Sequence, residues 1–534
     1  MRSIVDSYDI GGLLWGVRNH CGFWWHMLLK DKKSTKAGKV YMNENLKKVV
    51  SYAIICLIII FLGRFIYTRG ITLDYRNVFR NMNKYEGNGS SSNFKICYIS
   101  PDGSDDVGDG TSENPFVTVN KALSSNASKV MVKQGIYTQT IDFANAKHGS
   151  VSIVPYDTTG RVVFVHPDAF ITSSEQAVRG YYNVYSCNYN KSIHEEIRLY
   201  QDGVPDADTL ISDAERNPYE RGQAYRCLDT KIVPCSSNNL NDALTEIENS
   251  KTYKYYHDTS NGVLYFSRPK TVTMNQPIMQ SYPAGYIFAN QSRALEVSIY
   301  GIECKYMRFN AAGAIFHVED CKVANVYGAG GFIYDCGLST EFVRCEASGT
   351  YYANGGGDGF NGHSYSEGDT FSKQTTCRLV DCWSHDNMDD GYSDHERSET
   401  EIYGGLFEYN GKGGVTPSFG SHCACYNVVS RKNYSGFLYC GEATQEEGGK
   451  YGQMLCVMCL AEDNIDPSLG YGFGVSQNGN RAKLINCKSI GNKIGYYCGS
   501  DTILELIDCG ASDNTTVKDI RGTLYIKNTE LVTK

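Results

Sequence analysis

Six segments in the C-terminal half repeat one pattern, a short apolar strand that ends on Asn. They read LVDCWSHDN, IYGGLFEYN, CYNVVSRKN, CVMCLAEDN, LINCKSIGN and LIDCGASDN, and they end at Asn387, Asn410, Asn433, Asn464, Asn492 and Asn514. The steps between them are 23, 23, 31, 28 and 22 residues. A fixed offset at such a period marks a coiled repeat architecture. Counting back from each Asn, position −7 holds Val380, Tyr403, Tyr426, Val457, Ile485 and Ile507. Position −5 holds Cys382, Gly405, Val428, Cys459, Cys487 and Cys509, and −3 holds Ser384, Phe407, Ser430, Ala461, Ser489 and Ala511. Alternate residues of a strand share a face, so −7, −5 and −3 are expected to face inward. Position −2, with His385, Glu408, Arg431, Glu462, Ile490 and Ser512, is expected to face outward. Asn tolerates the left-handed conformation and bonds nearby backbone, so it is expected to make each turn. Its stacked amides can bond from coil to coil. In four units a Gly and then an aromatic residue or Val follow: Gly391-Tyr392, Gly414-Val415, Gly436-Phe437 and Gly495-Tyr496. They predict a second strand after a tight turn. Weaker units surround Cys321 and Cys345.

This pattern predicts an all-β, single-stranded right-handed parallel β-helix, a solenoid in which each coil touches only its neighbours. The chain resembles the pectate-lyase-like right-handed β-helix superfamily, whose members carry an internal Asn ladder. The segment Tyr98–Leu123, YISPDGSDDVGDGTSENPFVTVNKAL, is similar to the opening of such domains, and that resemblance implies a capping helix after it. The segments KVMVKQGIYTQTIDF and GSVSIVPYDTTGRVVFV then read as first-coil strands. The β-helix domain is placed at 95–534, with 185–290 fitting least and expected to be an insertion.

The N-terminal part reads differently. Val49–Leu62 is apolar apart from Ser51 and Tyr52, and the apolar character continues to Tyr67. Seven lysines between Lys30 and Lys48 precede it, which puts the N-terminus in the cytoplasm. Residues 49–67 are therefore expected to be a transmembrane signal anchor, 1–48 a cytoplasmic segment and 68–94 a stalk. The β-helix domain is then extracytoplasmic. Met42 is expected to be the true start, because the residues before it hold three of the four Trp and no periodicity.

A net charge of −8 argues against a nucleic-acid partner. Twenty Cys in an exported chain suggest disulfides, yet Cys382, Cys459, Cys487 and Cys509 share one inward position. They are expected to pack as small apolar residues.

Candidate chemistry is densest from Asp358 to Glu399. Two units read Asp358-Gly-Phe-Asn-Gly-His363 and Asp390-Gly-Tyr-Ser-Asp-His395. Aligned on Gly, they place Asp358 near Asp390 and His363 near His395, with Asp389 and Asp394 alongside. A carboxylate cluster repels itself unless protonated or bound to a cation, and oxygen donors in this number suit Ca²⁺. Asp-Gly is equally a common turn dipeptide. DNMDDGYSD resembles the Ca²⁺ site of family-nine polysaccharide lyases, which implies Asp358, Asp389 and Asp390 as ligands. The fourth position falls on Ser393, with Asp394 one residue late, and the Lys of that family's following strand is absent. Ser393-Asp394-His395-Glu396 is similar to the DPHD motif of mannuronan C5-epimerases. Both resemblances imply an acidic polysaccharide partner and removal of the C5 proton of a uronate. His395 is the candidate base, with His363 and Tyr392 as partners and Arg397 as a carboxylate contact. His385, Arg431 and Trp383 form a possible sugar-stacking track, with Lys412 and His422 one coil on. A non-catalytic glycan-binding β-helix and a glycoside hydrolase stay open as alternatives.

Overall fold

The computed structural model describes residues 95–531 apart from 157–159, 168–175, 191–196, 201–229, 268–277, 282–285, 289–294, 336–338, 351–355, 442–451, 467–469 and isolated positions or pairs. The anchor expected at 49–67, the stalk and the start at Met42 lie outside the described residues. Among the described residues no helix is long and apolar enough to cross a membrane.

Three parallel sheets of 13, 12 and 11 strands run the length of the domain, and each coil contributes one strand to each sheet. One coil shows the plan. Thr376–Val380 lies in the first sheet, Trp383–His385 in the second and Tyr392–His395 in the third. The next coil repeats it with Glu399–Tyr403, Leu406–Glu408 and Gly413–Pro417. This is a parallel β-helix. The helix Val119–Ser124, N-capped by the Thr118 side chain, packs on its first coils. After Val162–Val165 the chain leaves the solenoid and returns at Tyr286–Phe288. Between them it builds a separate seven-stranded sheet running from Gln176–Ala177 to Ile278–Ser281, to which the amphipathic helix Leu240–Asn249 is added.

The Asn ladder is present, but Asn does not make the bend. The left-handed residue is the one before it: Asp386, Tyr409, Lys432, Asp463, Gly491 and Asp513 all have positive φ. A second left-handed residue stands at −6, namely Asp381, Gly404, Asn427, Met458, Asn486 and Asp508. These two bends separate the first sheet from the second and the second from the third. They also correct the assignment at −7. A residue in αL breaks strand alternation, so −8 faces the core, as in Leu379, Ile402, Cys425, Cys456, Leu484 and Leu506, all buried. Position −7 faces out, and Tyr403 and Tyr426 stack there at 4.9 Å on the outer surface. Positions −5 and −3 face inward as expected.

The bend at −1 leaves each Asn side chain free to point inward. Asn387 Nδ2 donates to Asn410 Oδ1 at 2.9 Å, Asn410 Nδ2 to Asn433 Oδ1 at 3.1 Å, and Asn464 Nδ2 to Asn492 Oδ1 at 2.8 Å. Backbone N–H groups join the same oxygens, such as Asn433 N to Asn464 Oδ1 at 3.0 Å. The Gly three or four residues on is required by this ladder. A Cβ on Gly391 would lie 2.7 Å from Asn410 Nδ2. The residue after it fills the core: Phe332 and Phe360 stack at 5.0 Å, and Phe437 and Phe473 at 4.9 Å. The sixteen described cysteines are all free, and those of the −5 column are buried, their thiols donating to carbonyls of the preceding coil.

Candidate functional site

The third sheet places Asp358–His363, Tyr392–His395 and Gly413–Pro417 side by side. The register pairs Asn361 with Ser393 and His363 with His395, then Ser393 with Thr416. Phe360, Tyr392 and Val415 belong to the buried core. Asn361, Ser393, Thr416, His363 and His395 therefore line the outer face, since alternate residues take opposite faces. Two groups of ionisable side chains converge here. Each brings its ligand-type atoms within 4.8 Å of one another.

The first group is Asp358, Asp389 and Asp390, which are only 4%, 6% and 8% exposed. Asp358 accepts from Asn361 Nδ2 at 2.6 Å and from the Asp390 N–H at 3.0 Å. Asp390 Oδ1 accepts from the Gly413 N–H at 2.6 Å and Thr416 Oγ1 at 2.9 Å. Asp389 accepts from the Gly356 N–H at 2.8 Å, and Lys412 Nζ lies 2.7 Å from its carboxylate. Burial and the neighbouring carboxylates push Asp358 well above the usual carboxylate range and Asp390 up to about 8. Burial works against the Lys412 charge, but Asp389 and Asp390 outweigh it and hold Lys412 above its ordinary value. Three carboxylates against one ammonium leave an excess of two negative charges in a nearly closed site, in the absence of protonation or a further cation. The donor set, all carboxylate oxygen, fits a hard divalent cation such as Ca²⁺.

The second group is His363, His395 and Glu396. The two imidazoles stack at 4.7 Å with planes 15° apart, and Phe419 stacks on the far side of His395 at 5.3 Å. His363 Nδ1 lies 2.7 Å from Glu396 Oε2. His395 Nε2 faces Ser393 Oγ at 2.8 Å, and its Nδ1 faces Ser418 Oγ at 3.3 Å. Burial, and then the charge of His363, push His395 down to about 4, so it is neutral at pH 7.

The two groups are distinct. His395 follows Asp390 by five residues, up to about 16 Å along a strand. The ammonium beside the Asp cluster is that of Lys412, whereas His395 stands in the second group with His363 and Glu396. Tyr392 and Asp394 also part from the expectation. Both are fully buried in the core, where Tyr392 Oη donates to Asp394 Oδ2 at 2.6 Å and Thr400 Oγ1 donates to the same oxygen at 2.9 Å. Arg397 sits on the turn after Glu396, in the left-handed region. Of the proposed stacking track, His385 is buried between Glu346 (3.2 Å) and Asp386 (2.7 Å) and stacks on Trp383, while Arg431 pairs with Glu408 at 2.9 Å. His422 belongs to another feature, a groove of about 1100 Å³ along the outer face of the first sheet. Arg378–Glu401 and Lys483–Glu505 ion pairs line that groove, together with the His317–Glu341 contact at 2.9 Å. Sequence spacing gave no sign of it, because its members come from successive coils.

No protein-family model and no curated protein matches the chain. Among the solved structures similar in fold are these three. The complex of XylC with xylose is 11% identical, covers 82% of this chain and 83% of that one, and has a TM-score of 0.41. Pectate lyase Pel9A is 13% identical over 79% and 80%, with a TM-score of 0.34. A rhamnogalacturonan lyase is 14% identical over 76% and 82%, with a TM-score of 0.32. Values this low carry no argument about activity or residue roles. The three parallel sheets themselves make this chain a parallel β-helix protein, the fold those structures share.

Proposed function

We propose that the outer face of the third sheet acts on an acidic polysaccharide by removing the C5 proton of a uronate. The observation that carries this reading is the convergence of Asp358, Asp389 and Asp390 from adjacent coils beside the ammonium of Lys412. Asp358, Asp389 and Asp390 would hold a Ca²⁺-type cation. Such a cation, when bound, supplies the charge that acidifies the proton next to the uronate carboxylate. Neutralising the three carboxylates also removes the field that keeps Lys412 protonated, which leaves its amine able to accept the proton. The C5 carbanion then has two exits: the C4–O bond breaks, its electron pair leaving on O4, which takes up a proton, and an unsaturated uronate results; or C4–O stays intact, a proton returns to C5 on the opposite face, and the epimer results. Export of the domain behind the anchor at Val49–Tyr67 rests on the sequence alone.

The test is incubation of the purified domain with a polyuronate panel in Ca²⁺ or EDTA. The readouts are ultraviolet absorbance of unsaturated products and C5 stereochemistry by NMR. Activity is expected only with Ca²⁺, with Lys412→Ala slowing it about 10²- to 10⁴-fold and Asp390→Asn abolishing the Ca²⁺ response. Inactivity on the whole panel, or a Lys412→Ala variant as active as the parent, overturns it.

One observation favours a second reading. Asn361, Ser393, Thr416 and Ser418 are almost wholly buried despite facing outward, whereas the charged groove of the first sheet is open. In this reading the carboxylates are structural and the groove binds glycan without turnover. Glycan binding that survives Asp390→Asn and Lys412→Ala but fails in Arg378→Ala selects it.

A further inference from the structure

We propose that His363, His395 and Glu396 form a binding site for a borderline divalent cation of the Zn²⁺ class, separate from the carboxylate cluster. Two imidazoles and a carboxylate whose donor atoms lie within 4.8 Å are the donor set of a three-ligand zinc site. Imidazole selects this class of ion over Ca²⁺, which takes oxygen. The site is open enough to load, because the His363 and Glu396 side chains are 39% and 32% exposed. Three protein ligands leave a further position for water or a substrate oxygen.

Two observations separate this from an ordinary His–Glu hydrogen bond. The first is the backbone. Glu396 and Arg397 have φ of 46° and 62°, and they are the only two consecutive non-glycine residues with positive φ among the described residues. Elsewhere among the described residues a positive-φ pair includes glycine, as at Gly356-Gly357, Gly404-Gly405 and Phe419-Gly420. Two in succession store strain, which clusters where a side chain must be aimed; here the turn delivers the Glu396 carboxylate to His363. The second is the support of His395. Each ring nitrogen faces a serine hydroxyl, Ser393 at one and Ser418 at the other. Whichever nitrogen binds the ion, the other keeps a partner that fixes the ring, the arrangement metal-ligating histidines need. Phe419 closes the outer side of that ring.

The inference does not rest on uronate chemistry. Its test is titration of the full chain, stripped with chelator, by ZnCl₂ in a calorimeter, and by CoCl₂ with the visible spectrum as a coordination readout. One equivalent is expected to bind. His363→Gln and Glu396→Gln, at half-exposed positions, should each weaken binding by about 100-fold or more, and Ser418→Ala by about 10-fold. Asp390→Asn should leave Zn²⁺ affinity unchanged while removing the response to Ca²⁺. Circular dichroism checks that each variant keeps its fold. Absence of saturable binding at micromolar protein overturns the proposal, as does binding undiminished in both His363→Gln and Glu396→Gln.

Discussion

His385 shows how one residue's position in the coil sets its chemistry. It faces outward at −2, yet it is buried between Glu346 and Asp386, with Lys322 2.9 Å from Glu346. Burial opposes its charge, but the two carboxylates outweigh burial and raise it above its ordinary 6.5. For Glu346 burial is likewise outweighed, by Lys322 and His385, and it falls to about 2. Raising a histidine's folded pKa makes its stabilisation complete below about pH 6.5 and lets it fade as pH climbs through the folded value. Lowering Glu346 has the opposite sense: its contribution is present above about pH 4.5 and is lost as pH falls toward 2. His385→Ala is expected to cost about 1–3 kcal/mol at pH 6, since it removes one of the two cations that hold Glu346 ionised while Lys322 stays in place. The cost should shrink at pH 9. Urea melts at the two pH values check this, and an equal loss at both would show that packing on Trp383 dominates.

At the scale of the coil, the ladder makes the cost of a substitution depend on its place in the stack. Asn433 accepts from Asn410 Nδ2, donates to Phe407 O at 2.9 Å and to Ser430 Oγ at 3.1 Å, and is fully buried. Asn433→Ala strands several buried polar groups, each worth about 1–3 kcal/mol, so a loss of roughly 3 kcal/mol or more is expected. Asn514, the last of the six, has described hydrogen bonds only back to Ser489 and Asn492 and is only half-buried, so Asn514→Ala should cost about 1 kcal/mol. Chemical denaturation of the two variants tests the gradient. Equal losses would mean the ladder does not act from coil to coil. Gly391→Ala belongs to the same test, because its methyl group would enter the ladder at Asn410.

The described solenoid is a stack of neighbour contacts with no covalent staple among the described cysteines. The −5 thiols are buried, and their carbonyl partners belong to the adjacent coil. Reductant should therefore leave the melting temperature unchanged. Iodoacetamide should label few of the described cysteines in the native protein and all of them after denaturation, as counted by intact mass. A melting temperature that drops on reduction would show that bridges form.

How much of this was legible in the sequence follows from what spacing encodes. The Asn offset determined the repeat, the inward −5 and −3 columns and the reading of the column cysteines as packing, and the shared Gly of two units determined the alignment of His363 with His395. Each is a consequence of register, and register is carried by a periodic pattern. The face of −7 and the residue that makes each bend were decided by backbone dihedrals that a hydrophobic pattern does not report. The candidate site divided along the same line. Spacing named Asp358, Asp389, Asp390, His363 and His395, but it counted Tyr392 and Asp394 with them because alternation across a turn is ambiguous. Only the folded coils could turn those two into the core and bring Lys412 against Asp389 and Glu396 against His363. Distances between neighbouring coils depend on turn geometry, which no offset along the chain contains.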